Sequence, residues 1–501
     1  MPVQYFPDLE TFRASARDGN LVPVYRELTA DLDTPVSAFL KLGQEAPTFL
    51  LESVEGGVKL GRYSFMGVGH NLLLKSSGDR AIIYRNGERQ RVNLDDRDAL
   101  HLIQETLAQR QLVRVPGLPR FFGGAVGYIS YDTASSFEKV PKCSRDELGL
   151  PECVFVFTDT MVIFDHVQRK MQIVANTQID GPADFAYDQA RAKIDSIAAK
   201  LAKPVPPEPV RGNNSPVIEQ EKRMRSNFTQ EEFEAAVRAC KEYIVAGDAF
   251  QIVISQRLQG QTSASPLAIY RALRMLNPSP YLFYLDMGDF QLIGSSPEML
   301  VKVEDGLAET CPIAGTRSRG ATDIDDEAAA TELLNDPKEK AEHAMLVDLA
   351  RNDLGRVCSH GTVKVTESMS VGRYSHVMHL VSTVQGRLKD GEDAFKLLRA
   401  AFPAGTLTGA PKIRAMEIIA ELENLKRGPY GGAVGYFSFD GNMDTCITIR
   451  TIVMTGNTVY LQAGAGIVFD SDPTREYEET LNKLKALEAA VEMAEEGKGS
   501  R

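Results

Sequence analysis

"TIVMTGNTVYLQAG" (451–464) decides the fold class. β-Branched and aromatic residues run into Thr455-Gly456-Asn457 and out again, the pattern of two strands joined by a tight hairpin. Strands joined so closely pair antiparallel, because parallel strands need a long crossover. Working outward, "FQIVISQRL" (250–258), "TCITIRTIVMT" (445–455) and "TVYLQAGAGIVF" (458–469) read as further strands. Helical spacing of Phe233, Val237, Cys240 and Ile244 follows a capping box at Thr229 and Glu232 and precedes Gly247 as a stop. These signals predict an α+β fold with antiparallel-rich sheets and helices packed outside.

A second signal is a repeat. "GGAVGYISYD" (123–132) recurs as "GGAVGYFSFD" (431–440), differing only at Ile129/Phe437 and Tyr131/Phe439. Each copy reads as a strand entered through a Gly-Gly turn, so the chain is expected to hold an internally duplicated strand unit in two associated subdomains. "KPVPPEPVRGNNSPVIEQEK" (203–222) is too rich in proline for a helix or a central strand. The expected division is an N-terminal domain over 1–202, a linker over 203–227, a second domain over 228–490 and a disordered tail over 491–501.

Composition narrows function. With 56 Lys+Arg against 68 Asp+Glu, the net charge of −12 provides no concentrated basic face for nucleic acid. No segment approaches a membrane span, and "MPVQYFPDLETF" lacks the charged-then-apolar order of a secretory signal. The six cysteines follow no CxxC or Cys/His ligand spacing, which suits reduced thiols and a cytoplasmic location.

Two carboxylate pairs share one spacing: Glu339 and Glu342 in "DPKEKAEHAMLVDLARNDLG" (336–355), Glu476 and Glu479 in "DPTREYEETLNKL" (472–484). At i, i+3 on a helix each pair projects from one face, and the first continues into Leu346 and Leu349. Four such oxygens suit a hard cation, with Mg²⁺ the expected ion. The alternative is a pair of solvated helix faces, since Glu479 with Lys483 is also an ordinary i, i+4 pair worth about 0.3–0.5 kcal/mol. "AFPAGTLTGAPKIRAMEII" (401–419) lacks the Gly-x4-Gly-Lys-Ser/Thr order of a phosphate loop, which argues against a phosphotransferase. His379 alone, on an apolar segment, reads equally well as a core residue.

Taken together, "GSSPEML" (294–300), "PIAGTRSRG" (312–320), "KEKAEH" (338–343), "VMHL" (377–380), "GTLTGAPK" (405–412), "RGPYGGAVGY" (427–436) and "ITIR" (447–450) resemble the chorismate-utilising enzymes. "FLLESVEGGVKLGRYSFMG" (49–67) extends the likeness towards the N-terminus. The resemblance implies a Mg²⁺-dependent conversion of chorismate and ammonia to anthranilate and pyruvate. It assigns the metal to Glu339, Glu342, Glu476 and Glu479, and acid catalysis at the departing C4 hydroxyl to Glu298. His379 matches the residue associated with pyruvate loss and aromatisation. Thr406, Tyr430, Arg450, Gly464 and Gly466 match groups around the enolpyruvyl chain and carboxylates, and Gly315, Thr316 and Lys483 match further substrate contacts. Gln251 stands where isochorismate and salicylate synthases carry a lysine base, and Ala314 where aminodeoxychorismate synthases carry a lysine nucleophile.

No cysteine has a glutaminase context, so the resemblance also implies a separate glutamine amidotransferase subunit as the source of ammonia. "LLES" (50–53) and "NPSPYLFY" (277–284) resemble a tryptophan-feedback site, with Glu52, Ser53, Lys59, Pro280, Tyr281, Leu282, Val434 and Tyr436 as inhibitor contacts. The rival readings are an aminodeoxychorismate synthase component working without the lysine and a non-catalytic tryptophan sensor of the same fold.

Overall fold

The structure, a computed structural model, describes residues 3–497 apart from 44, 54–60, 86, 142, 144, 207–223, 375–376 and 424. The hairpin that opens the sequence argument forms: Thr451–Thr455 pairs antiparallel with Thr458–Ile467, and Thr455 faces Thr458 across a two-residue turn with Gly456 at φ +58°. Among the described residues the strands make two 12-stranded sheets, and every pairing between named strands is antiparallel. The helix Gln230–Ala246 carries the expected capping box at Thr229 and Glu232 and stops at Gly247 with φ +86°.

One sheet runs, in spatial order, Leu21–Thr29, Lys170–Gln178, Thr160–Asp165, Tyr63–Gly67, Thr48–Glu52, Tyr281–Asp286, Gln291–Ser296, Thr451–Thr455, Thr458–Ile467, Gln251–Gln261. The short strand Arg225–Ser226 follows at the edge. The order is a palindrome. Outward from the centre, the first half of the chain supplies its strands in the same succession as the second. The other sheet is centred on the two decapeptides. Gly124–Ile129 lies antiparallel to Ala433–Ser438 with Gly127 opposite Gly435, and each strand is flanked by its own half. A pseudo-twofold axis therefore passes between the copies, and the duplication extends from a strand unit to both halves. The sheets change from first-half to second-half strands between Gln178 and Arg225. Most of the proline-rich stretch there lies outside the described residues.

Strand periodicity explains the layers. Val126, Tyr128, Val154 and Val156 point between the sheets with Phe49, Phe65, Phe283 and Tyr436. The alternate residues Ala125, Ile129, Phe155 and Phe157 face outward and are covered by helices including Ala99–Ala108, Pro337–Val357 and Ala394–Ala401. The other sheet is covered on its outer face by Pro35–Leu42, Ala183–Leu201, Pro266–Leu276 and Pro473–Glu495. The last helix corrects the expected tail: it continues to Glu495, because Leu484, Leu487, Ala490 and Val491 keep a buried stripe past residue 490. No described helix is long and apolar enough to cross a membrane.

A further correction concerns "TCITIRTIVMT". It is two strands, Met443–Ile447 and Thr451–Thr455, belonging to different sheets. The chain passes between sheets at Thr448–Arg450, and Arg450 takes φ +50° there. β-Branched Thr, Ile and Val dominate the stretch and favour extended backbone, so the break left no local signal.

Candidate active site

The cross-over at Arg450 opens onto a cleft of about 700 Å³. Fourteen residues expected to form the catalytic, substrate and metal sites line it together. Glu298 and Arg450 arrive from loops between strands, Gly315 and Thr316 from Ile313–Ser318, and His379 from Val377–Arg387. Thr406 sits on the turn Gly405–Thr408, Tyr430 precedes the second decapeptide, and Gly464 and Gly466 lie on Thr458–Ile467. Pro337–Val357 brings Glu339 and Glu342; Pro473–Glu495 brings Glu476, Glu479 and Lys483.

Burial sets the chemistry of these groups. The Glu298 carboxyl is pushed up to about 8 by desolvation, although the Thr406 hydroxyl donates to Oε1 at 3.1 Å and opposes the shift. It therefore holds a proton at neutral pH and can give one up. His379 Nδ1 lies 2.7 Å from the Gly315 carbonyl oxygen, which only accepts, so this nitrogen carries the proton and leaves Nε2 as a lone-pair acceptor. Burial lowers the imidazole pKa and keeps the ring neutral. Burial also lowers the Arg450 guanidinium, beside Tyr430. A desolvated guanidinium with its fork towards a cleft is a receptor for a carboxylate.

Two glycines are there for clearance. A Cβ on Gly464 would stand 2.9 Å from the Tyr430 hydroxyl, and one on Gly466 would stand 2.7 Å from Gln251 Nε2. Lys483 is held by the Gly464 carbonyl oxygen at 2.8 Å and by Glu479 at 2.7 Å.

Among the described residues no three acidic, His or Cys side chains are already gathered around one point. Glu339 is instead held by Arg317 at 3.2 Å, and Glu342 accepts from Gln251 at 3.2 Å. The donor set still fits a hard dication. Burial raises the Glu342 and Glu476 carboxyls, and neighbouring charges from Glu339 and Glu479 raise them further, a repulsion that a bound cation would relieve.

A second pocket lies between the sheets, where strands of the two halves meet. Glu52, Ser53, Pro280, Tyr281, Leu282, Val434 and Tyr436 line it, with Leu282 paired to Glu52 across the junction of the halves. Lys59 lies outside the described residues. Glu52 accepts from the Tyr270 hydroxyl at 2.6 Å and pairs with Arg274 at 3.1 Å, while burial raises its carboxyl. Among the described residues the buried Ser53 hydroxyl has no hydrogen-bond partner.

Sequence reasoning missed Arg317, which ties Glu339 to Asp336 and Glu332, and the Arg120–Asp444 pair inside the second pocket. It also missed the buried Arg427–Glu423 pair behind the cleft. Arg317 and Arg427 both fall within motifs that carry the resemblance, so their place there was the available signal.

The model for chorismate binding enzymes matches residues 49–489, and the chain belongs to that family. It is 48% identical to anthranilate synthase component 1 of Acetivibrio thermocellus over 98% of this chain and 99% of the relative. Against the Aquifex aeolicus component 1 it is 47% identical over 97% and 98%. A crystal structure of anthranilate synthase component I from Streptococcus pneumoniae superposes with a TM-score of 0.75 at 36% identity, covering 92% of this chain and 99% of that one. The menaquinone-specific isochorismate synthase of Escherichia coli shares the fold, with a TM-score of 0.69 at 21% identity.

Proposed function

We propose that this chain is the aminating component of an anthranilate synthase, converting chorismate and ammonia to anthranilate, pyruvate and water, the first step of tryptophan biosynthesis. Similarity over the full chain supports the reading. The observation that carries it is one cleft uniting a protonated Glu298, a neutral His379 with Nε2 free and a desolvated Arg450.

Arg450 and the Tyr430 hydroxyl hold the substrate's carboxylate and enolpyruvyl side, with the ring fixed over Gly464 and Gly466. Glu298 donates its proton to the departing C4 hydroxyl, and Thr406 holds the carboxyl in line for that transfer. Ammonia adds at C2 and sheds a proton. In the second stage the C2 proton leaves as the enolpyruvyl group departs as pyruvate, and His379 Nε2 stands as acceptor for that stage. Glu339, Glu342, Glu476 and Glu479 would hold Mg²⁺, whose charge neutralises the ring carboxylate. Gln251 and Ala314 both line the cleft and supply neither a water-activating nor a nucleophilic amine, which favours free ammonia over the aminodeoxychorismate route.

The proposal extends to a glutamine amidotransferase subunit as ammonia source, to L-tryptophan as inhibitor in the pocket between the sheets and to a cytoplasmic setting. Support for the inhibitor is the Ser53 hydroxyl, without a partner among the described residues, beside buried Glu52 in a pocket walled by Tyr63, Phe65 and Tyr436. Support for the setting is that all six cysteines are free. The test is incubation with chorismate, Mg²⁺ and ammonium while anthranilate fluorescence is followed, with EDTA or L-tryptophan in parallel arms. The chain has no Trp to contribute background. Anthranilate that disappears in both arms is expected. Tryptophan binding without any product would favour the sensor, and an aminated non-aromatic product would favour the aminodeoxychorismate route.

A further inference from the structure

Behind the cleft lies a charge pair that no step above uses. Arg427 is 2% exposed and Glu423 is 8% exposed; Glu423 closes the helix Lys412–Glu423 and Arg427 stands four residues on, beyond its end. The guanidinium grips both carboxylate oxygens with its Nε–Nη2 edge, Nε to Oε2 at 2.8 Å and Nη2 to Oε1 at 2.6 Å. Its remaining donors reach backbone: Nη1 to the Leu407 carbonyl oxygen at 2.7 Å and Nη2 to that of Val253 at 2.8 Å. Its face lies 4.5 Å from the centre of the Tyr131 ring and 5.8 Å from that of Tyr430. Glu423 in turn accepts from the Ser255 amide and hydroxyl at 2.8 and 2.9 Å.

These contacts share a destination. Leu407 follows Thr406, whose hydroxyl bonds Glu298; Val253 and Tyr430 are themselves cleft walls. The first half of the chain joins in, because the Tyr131 amide donates to the Gly428 carbonyl oxygen and the Asp132 carboxylate accepts from the Gly428 amide at 2.8 Å. A buried ion pair is a poor way to gain stability, since apolar residues of equal volume often serve as well. A planar fork that meets a carboxylate and two carbonyl oxygens at once does fix relative position, and lysine cannot reproduce it.

We propose that the Arg427–Glu423 pair is a positioning element for the reaction: it locks the Thr406 turn, the Val253 strand and the Tyr430 ring into one register and acts through them without touching substrate. This rests on the functional reading above.

The test uses the full chain with chorismate, Mg²⁺ and ammonium. Arg427→Lys is expected to lower kcat at least tenfold, while half-saturation by Mg²⁺ changes less, within twofold, because the pair reaches the glutamates only indirectly, through the Gln251 contact to Glu342. In a Thr406→Ala background the same substitution is expected to cost less than threefold, since both changes remove one arrangement. Equal losses in the two backgrounds, or unchanged kcat, would overturn the proposal. If Arg427→Lys does not fold, the charge-free Glu423→Leu/Arg427→Met double variant replaces it, with the same expectations. Failure of both to fold would make the pair structural and overturn the proposal as well. An inactive parent would refute the functional reading alone. Positioning is then decided by amide hydrogen exchange at 405–408 and 251–254, which the folded variant must speed at least tenfold while exchange elsewhere stays unchanged.

Discussion

Replacing Glu298 by glutamine should stabilise the protein, increasingly so as pH rises. The carboxyl is raised by burial from an ordinary 4.5 to about 8. Between these values the unfolded chain has released the proton and the native one retains it, so the native state loses stability with each step upward in pH. One unit corresponds to about 1.36 kcal/mol. At pH 7 the native state therefore carries a penalty of about 3 kcal/mol, at pH 6 about 2 kcal/mol, and at pH 4.5 almost none. Glutamine has the same shape and no charge at any pH. Any fixed cost of seating the amide is independent of pH and drops out of the slope. Urea unfolding of parent and Glu298→Gln at pH 5, 6, 7 and 8 should give a difference that grows with pH and levels off near 8. The variant should lose activity by about 10²–10⁴-fold, because an amide cannot supply the proton. A stability difference that stays flat from pH 5 to 8 would refute the raised carboxyl, and with it the acid role.

Other expectations follow from individual contacts. His379→Ala should stop the reaction after amination, with a non-aromatic aminated product visible by mass and little fluorescence; full anthranilate formation would remove His379 from the second stage. Tyr436→Ala opens the ring stack with Phe121, whose centroids are 4.0 Å apart, and should abolish tryptophan inhibition while chorismate turnover persists. Titrating L-tryptophan against the initial rate checks this. Gly435→Ala would set a Cβ 2.1 Å from the Asp444 carbonyl oxygen and should destabilise by about 1–3 kcal/mol, measured as a lower unfolding midpoint. Gly127→Ala, 1.9 Å from the Val154 carbonyl oxygen, should do the same, as its mirror across the axis.

What could be read from the sequence depended on how local its cause was. The hairpin at Gly456-Asn457 and the cap at Thr229 are written within a few residues, and both were legible. That the decapeptides would lie side by side was not, because nothing in either copy names its pairing partner. The break at Thr448–Arg450 is imposed by two sheets competing for neighbouring residues, and β-branched composition conceals it. The cleft residues were legible as motifs, yet their company is a product of the fold: Gln251 meets Glu342 and His379 meets Gly315 across long stretches of chain. Arg427 and Glu423 hid in plain view, since an i, i+4 pair at a helix end ordinarily lies in solvent.

The palindromic strand order has a consequence for how the molecule holds together. Taken alone, either half would end in two raw sheet borders, Thr48–Glu52 and Gly124–Ile129 in one, Tyr281–Asp286 and Ala433–Ser438 in the other. These are largely apolar and buried in the whole chain, the kind of border that recruits foreign strands when bared. In the whole chain each border is closed by its own counterpart, as two identical subunits would close a symmetric dimer. The molecule behaves as a fused dimer whose seam cannot part without exposing surface that would aggregate. The pocket lined by Glu52 and Tyr436 lies on that seam, so a ligand there touches both former partners at once.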